Sequence, residues 1–398
     1  MLNDVVITKV SGGLGRTTSS TDMISGLVAS AVDVIGGMQL GTVYKFQRVD
    51  DAIAIGIDEA YDTTNVILVY EHIKEFFRIN PNGVLWFMAV AKTILFKDIV
   101  DPTNASGAKK LLIASGGDIN QLAVAYNPTV PVTTDAALLL AIAKAQLLVA
   151  AEFDLHRPVH ILLEGAGFDS ADITDLHTLS APGVSVMIGQ NKTIAASNSI
   201  FERYGAVGTL LGAVSLAAVH EDVAWVRKFP LLGDNLLDFS IMNVDSLTLS
   251  ESLKNDINTA GYIFFNRPAR KTNIYFNDSH TCAEVTSDFL FIENNRTINK
   301  ATRLIYDALL PDLNSPVYVD SVTGKLSPVV VKAMEAIGNR AINEGMQKAG
   351  ELSGFTFEID ESQNILSTSE LACELSITPT GTARKISVKI GFTNPFNS

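Results

Sequence analysis

Two cysteines in 398 residues, Cys282 and Cys373, are too few and too far apart for a disulfide framework, which is what a reducing compartment permits. Basic charge is also scarce. Lys and Arg total 30 against 43 Asp and Glu, a formal net charge of −13. A protein that grips a phosphate backbone needs a basic footprint, and no Lys/Arg run supplies one locally, so no nucleic-acid partner is expected. Long apolar runs are missing too. The uncharged stretch 205–219 is about 15 residues, broken by small residues, and falls short of the ~20 that span a bilayer. The first residues, Met1-Leu2-Asn3-Asp4, carry no basic n-region and lead into alternating Val, Ile and Thr rather than an apolar h-region. Neither export nor direct membrane insertion is expected. The protein is expected to be made in the cytoplasm and used there or released by lysis.

What the chain does have is apolar mass. Hydrophobic residues make up 47% and charged residues 18%, with a positive mean hydropathy, so the chain is globular rather than disordered. That balance leaves more apolar surface than one soluble monomer ordinarily shows. A large protein–protein interface would absorb the excess, although a big monomeric core is the plainer alternative.

The pattern reads as mixed α/β. At the start, 4–10 alternates as a short strand carrying Val6, Thr8 and Val10 on one face, then runs into the Gly/Ser/Thr-rich linker 11–21. A tethered terminal strand suggests an arm that reaches another molecule. Val66, Val69, Ile73 and Phe76 stand at helical spacing, ended by Pro81-Asn82-Gly83, and 84–90 is a continuous apolar run read as a buried strand. Thr133, Thr134 and Asp135 are placed to cap an Ala/Leu-rich helix to about Phe153, with a strand at 159–163 after Pro158. A strand at 183–189 and a helix over 204–220 follow. This alternation predicts a mixed sheet covered by helices in the N-terminal part, within a domain 21–240. Signals weaken between Asp234 and Ile257, which marks a junction to a smaller α+β domain, 241–385. There the pattern predicts strands at 262–265 and 274–276, a helix over 296–310, and a second helix opening at Ser327-Pro328 and running toward Gly350. A closing hairpin is expected between 371–377 and 386–392, the last segment alternating through Ile386, Val388, Ile390 and Phe392 and forming a terminal arm, 386–398.

Each candidate for chemistry is incomplete. Gly12-Gly13-Leu14-Gly15-Arg16-Thr17-Thr18 looks like a phosphate loop but has Arg for the usual Lys and lacks the first Gly. His220-Glu221 opens a zinc-protease pattern that has no second His four residues after the first. His156 and His160 have Pro158 between them and no third ligand nearby. Asp278, His280 and Cys282 cluster within one short segment, whereas a nucleophile and its base normally come from separate elements. No catalytic, metal or cofactor residue is assigned, and no cofactor is expected.

The last third also carries a resemblance. The run D-F-L-F-I-E-N-N-R-T-I-N-K-A-T-R, the turn D-S-V-T-G-K-L, the segment G-E-L-S-G and the ending I-T-P-T-G-T-A-R-K-I-S-V-K-I-G-F resemble the C-terminal part of contractile-tail sheath proteins. Earlier segments, N-V-I-L-V-Y-E-H-I-K-E-F-F before G-V-L-W-F-M-A-V, then R-P-V-H-I-L-L-E-G and Y-G-A-V-G-T-L-L-G, follow that family's order. The resemblance implies a structural subunit, not an enzyme, stacked as six-membered rings around an inner tube and joined to its neighbours by exchanged terminal arms. It places Val6, Thr8, Val10, Ile386, Val388, Ile390 and Phe392 in those arms. It turns the 327–350 helix toward the tube through Lys332, Arg340 and Lys348. Implied partners are copies of the chain itself, the inner tube protein, and baseplate and tail-terminator proteins, in a virion tail or injection particle. A tube or baseplate component of the same machine is the alternative, and a cytoplasmic α/β enzyme is a third reading.

Overall fold

The computed structural model describes residues 21–231, 239–242, 244–245 and 249–392. The expected terminal strand at 4–10, with Val6, Thr8 and Val10, and the loop Gly12–Thr18 lie outside the described residues. The chain divides into two compact units, one ending at Pro311 and one spanning Asp312–Ser398.

The first unit is built on six strands: β1 Ile24–Ala31, β2 Val43–Phe46, β3 Val84–Ala91, β4 Gln121–Ala125, β5 His160–Glu164 and β6 Val184–Met187. They are ordered β2-β3-β1-β4-β5-β6, all neighbours parallel except the antiparallel edge strand β2. A parallel sheet is covered on both faces, and the strands show why this one can be. Successive side chains alternate between two separate cores. Leu27, Ala29, Phe87, Ala123, Ala125 and Leu162 face one, and Val28, Met88, Leu122, Val124, Ile161 and Leu163 face the other.

On the first face lie the helices Val69–Ile79 and Val207–Leu216. Sequence spacing starts the former at Val66, but the structure starts it at Val69. The Asp62 carboxylate accepts the N–H groups of Val69, Tyr70 and Glu71, each at 3.0 Å, which satisfies the amides a helix start leaves open. Val66 instead adopts φ 52 at the end of the preceding helix Glu59–Asn65, an uncommon conformation for a β-branched residue. Its carbonyl accepts from Lys92 Nζ at 3.0 Å. The two face helices touch backbone to backbone. A Cβ on Gly208 would sit 2.4 Å from the His72 carbonyl oxygen, and one on Gly212 2.9 Å from that of Phe76. On the second face lies the helix Ala136–Asp154, whose Leu138, Ala141, Ile142, Ala145 and Leu148 are fully buried in that core.

In the second unit, the helix Pro328–Ile342 opens at Ser327-Pro328 as the sequence indicates, continues through a wide turn at Asn343–Gln347, and is released at Gly350 with φ 75. The closing pair differs from the expected one. The strand Glu374–Pro379 pairs antiparallel with Leu352–Glu358, matching Phe355 to Ile377 and Phe357 to Leu375, and 386–392 lies in no strand. The helix explains the choice of partner. Gly338 leaves room for the Phe357 ring, which would meet a Cβ there at 2.4 Å, so Leu352–Glu358 is held in place for the next strand to join.

Gly208→Ala tests the backbone-to-backbone packing. Removing a helical glycine gains roughly 0.5–1 kcal/mol in propensity, but overpacking against a carbonyl costs about 1–3 kcal/mol. Net destabilisation is expected, read as a lower urea midpoint at unchanged slope. An equal or higher midpoint would show that the helices separate without cost.

Candidate assembly interface

The place where a doubly wound sheet ordinarily receives a ligand is the crevice at the carboxyl ends of the strands where the winding reverses, here β1 and β4. The chain's own Asn127 fills it. Its N–H donates to Ser30 Oγ at 2.6 Å and its Nδ2 to the Ser30 carbonyl at 2.8 Å, while its Oδ1 accepts from Leu68 N–H at 3.0 Å. The space left beside it, lined by residues including Tyr126, Ala166, Phe201 and Tyr204, is about 10 Å³, roughly the room one water needs.

Next to it, at the end of β5, Glu164 Oε1 lies 2.9 Å from His72 Nε2, both side chains almost wholly buried. Gly208 N–H donates to His72 Nδ1 at 3.2 Å, which assigns the ring proton to Nε2 and points it at the carboxylate. Burial raises the Glu164 carboxyl above the usual carboxylate range, an effect that its contact with His72 only partly offsets. Glu75 forms a bidentate pair with Arg78, at 2.8 and 2.7 Å, and Arg78 Nη1 reaches the Leu231 carbonyl at 3.2 Å. These polar groups tie the helix Val69–Ile79 to its surroundings.

The suspected chemical clusters come apart. Exposed His156 stacks on Tyr306 with ring centres 4.2 Å apart, whereas His160 is fully buried with Nε2 2.9 Å from Ser185 Oγ. His220 lies beyond the helix that ends at Leu216, and Glu221 beside it is paired with Lys228 at 2.5 Å. Cys282 is fully buried, its thiol pushed far up by burial, and its backbone clips onto Ala181 and Val184 at 2.7 and 2.8 Å. His280 Nε2 lies 3.9 Å from Asp278 and 3.3 Å from Asn258 Oδ1. No group of three or more His, Cys, Asp or Glu poised for a metal occurs among the described residues.

The described residues expected to make subunit or tube contacts are on the surface of the second unit. Lys332, Arg340 and Lys348 are exposed, while Val331, Gly338, Ile342 and Met346 turn inward. Lys332 Nζ lies 2.6 Å from Glu335, which raises the lysine's pKa and lowers the carboxylate's. Ile386, Val388, Ile390 and Phe392 are 80, 73, 93 and 109% exposed. An alternating apolar segment of that kind has strand chemistry without a strand partner among the described residues, and the sheet before it has two strands there, each with an edge to offer.

The sequence matches the DUF2586 N-terminal domain over residues 2–280 and the DUF2586 C-terminal domain over 288–397. The chain belongs to the DUF2586 family. No curated protein matches this DUF2586 sequence. Among solved structures, the fold is that of contractile sheath proteins. The helical sheath of the anti-feeding prophage in its contracted state is 14% identical with a TM-score of 0.63, covering 98% of this chain and 99% of that one. A chain of the anti-feeding prophage baseplate is 13% identical with a TM-score of 0.64, covering 99% of each. The sheath tail protein of Desulfitobacterium hafniense is 12% identical with a TM-score of 0.52, covering 95% of this chain and 100% of that one.

His160 makes the stability of the first unit pH-dependent. Burial, reinforced by the charge of Arg296, lowers its pKa from 6.5 to about 3. Between those values the unfolded chain binds a proton that the folded one refuses. Its contribution is therefore neutral above 6.5 and increasingly destabilising as pH falls toward 3, by up to about 1.4 kcal/mol per pH unit. Ser185 Oγ donates to the His280 carbonyl at 2.7 Å and so accepts from His160 Nε2, a role a glutamine amide can take over. His160→Gln is expected to flatten this part of the urea midpoint's pH dependence; parallel curves for both proteins between pH 4 and 7 would remove His160 as the cause.

Proposed function

We infer that the chain is the structural subunit of a contractile tail sheath, polymerising as stacked six-membered rings around an inner tube and shortening to drive that tube through a target envelope. The observation that carries the reading is the end of the chain: alternating apolar residues at 386–392, fully exposed, following a two-stranded sheet with open edges. Main-chain pairing between that segment and a sheet edge of another subunit would supply affinity, and the alternation would fix register. The end-to-end correspondence with a helical sheath chain supports the same reading. The residues Val6, Thr8 and Val10 are assigned to the second arm of this linkage. In this reading the work of contraction comes from rearranged subunit interfaces, with no catalytic role for the chain. The subunit assembles in the host cytoplasm and acts in a virion tail or injection particle, in contact with tube, baseplate and terminator proteins. The similarity to a baseplate chain favours a second reading, a baseplate component. Negative-stain microscopy separates the two, since a sheath forms long hollow cylinders and a baseplate component discrete rings.

Val388→Pro tests the exchange. A proline removes a ladder donor and costs about 3 kcal/mol or more where it interrupts regular structure. If the arm pairs with another subunit, the variant monomer melts as the parent does and no cylinders form. A large fall in the monomer's melting temperature would assign the segment to its own subunit and sink the exchange.

The exposed face of the helix Pro328–Ile342 is assigned to the tube. Lys332→Glu with Arg340→Glu is expected to leave the melting curve in place and to weaken salt-sensitive co-assembly with the tube protein. Co-assembly unchanged at low and high salt would turn this helix away from the tube.

A further inference from the structure

The helix Ala136–Asp154 buries one side in the sheet core and leaves the other bare. Its exposed positions, apart from Phe153 to one side, are Ala136, Leu140, Ala143, Leu147, Ala150 and Asp154, spaced alternately four and three residues apart. At 3.6 residues per turn they fall within about 80° of arc. Leu140 and Leu147 are each 55% exposed. Alanines recur at every seventh position and leucines at every seventh between them, and no charge enters the stripe before Asp154. The helix's other charges are occupied elsewhere: Lys144 reaches Asp101 at 2.7 Å, and the buried Glu152 reaches Arg157 at 2.8 Å. Small and large apolar residues alternating at heptad spacing form the seam that receives another helix at close range.

We propose that this stripe is a contact between copies of the chain, receiving a helix of a neighbouring copy in the assembled polymer. The inference rests on the sheath reading and adds to it a contact through the first unit, separate from the terminal arms. Size decides the occupant. A helix of this length is about 28 Å long, and a stripe about 10 Å wide gives roughly 600 Å² over both partners, well under the ~1,200 Å² of a stable standalone complex. Such a contact holds only where other links already keep the partners together, which a polymer of identical subunits provides. Two copies of the stripe facing each other would need a two-fold axis, whereas rings and helical polymers grow by head-to-tail contacts, so the received helix is a different element of the neighbour. A lipid surface is disfavoured by the net charge of −13 and by Asp154 on the stripe itself.

The test uses the full chain with Ala143→Cys and Cys373→Ser, Cys282 being fully buried. Maleimide labelling is timed on the monomer and on the polymer formed by this chain alone. Labelling slowed by about tenfold or more in the polymer, the ratio that ~1.4 kcal/mol of protection gives, is expected. Equal rates in monomer and polymer overturn the proposal while leaving the sheath reading intact. Leu140→Glu with Leu147→Glu should keep the monomer's melting curve and shorten or abolish polymers; full-length polymers from that variant also overturn it. A parent chain that never polymerises removes the sheath reading and this contact with it. Flotation of the parent, but not the Glu variant, with phosphatidylserine vesicles would assign the stripe to lipid instead.

Discussion

A parallel sheet has no wet face, because the connections between its strands must cross over it and bury whatever they cross. Much of the first unit follows from that constraint. Strands covered on both sides are buried along their length: every position of β4 is buried, Gln121 and then leucine and valine alternating with alanine. The helices that cover the sheet must then fit against it and against each other in limited space. On one face the glycines of Val207–Leu216 let two helix backbones nearly touch. On the other, one long helix spends its leucines on both sides, inward to the sheet and outward to the surface.

Covering both faces also strands polar groups inside, and the structure answers several of them with a close partner. Asp62 satisfies three open amides at a helix start, Asn127 seals the crevice between β1 and β4, and Ser185 links His160 to the His280 carbonyl. Groups that could have formed a reactive centre are used as fasteners. The buried His72–Glu164 pair belongs with them: removing one partner would leave the other uncompensated, which makes it a device for fixing one arrangement of helix and sheet.

Elements with their own period were legible in the sequence. The helices near Val69, Ala136, Val207 and Pro328 and the strands β3, β5 and β6 lie where spacing placed them, to within a few residues. The central strand β1 was not legible, because five of the eight residues of Ile24–Ala31 are Ser, Gly or Ala, and its burial comes from two neighbours far along the chain rather than from its own hydrophobicity. The start at Val69 was lost for a related reason: it depends on the carboxylate of Asp62, in another helix. At the other end, alternation identified two strand-like segments, 371–377 and 386–392, but could not choose partners. Phe357, seated over Gly338, decides that Leu352–Glu358 takes one of them, and the other is left exposed. The same alternation singled out Ile386, Val388, Ile390 and Phe392, since side-chain period survives without a ladder. Lys332 and Arg340 were legible only as surface charges.

The position of β1 also governs how the chain is made. It is the first of the six strands to leave the ribosome and the one that ends at the centre of the sheet, between β3 and β4. Its second partner ends at Ala125, nearly a hundred residues later. At synthesis rates of about 5–20 residues per second, the edge of β1 that β3 will cover stays unpaired for roughly 3–12 seconds on each nascent chain and the edge that β4 will cover for roughly 5–20 seconds. Many ribosomes producing subunits side by side would hold such edges open together. The serines and glycine of β1, which weaken it as an isolated strand, make it a poor template for its neighbours during that interval.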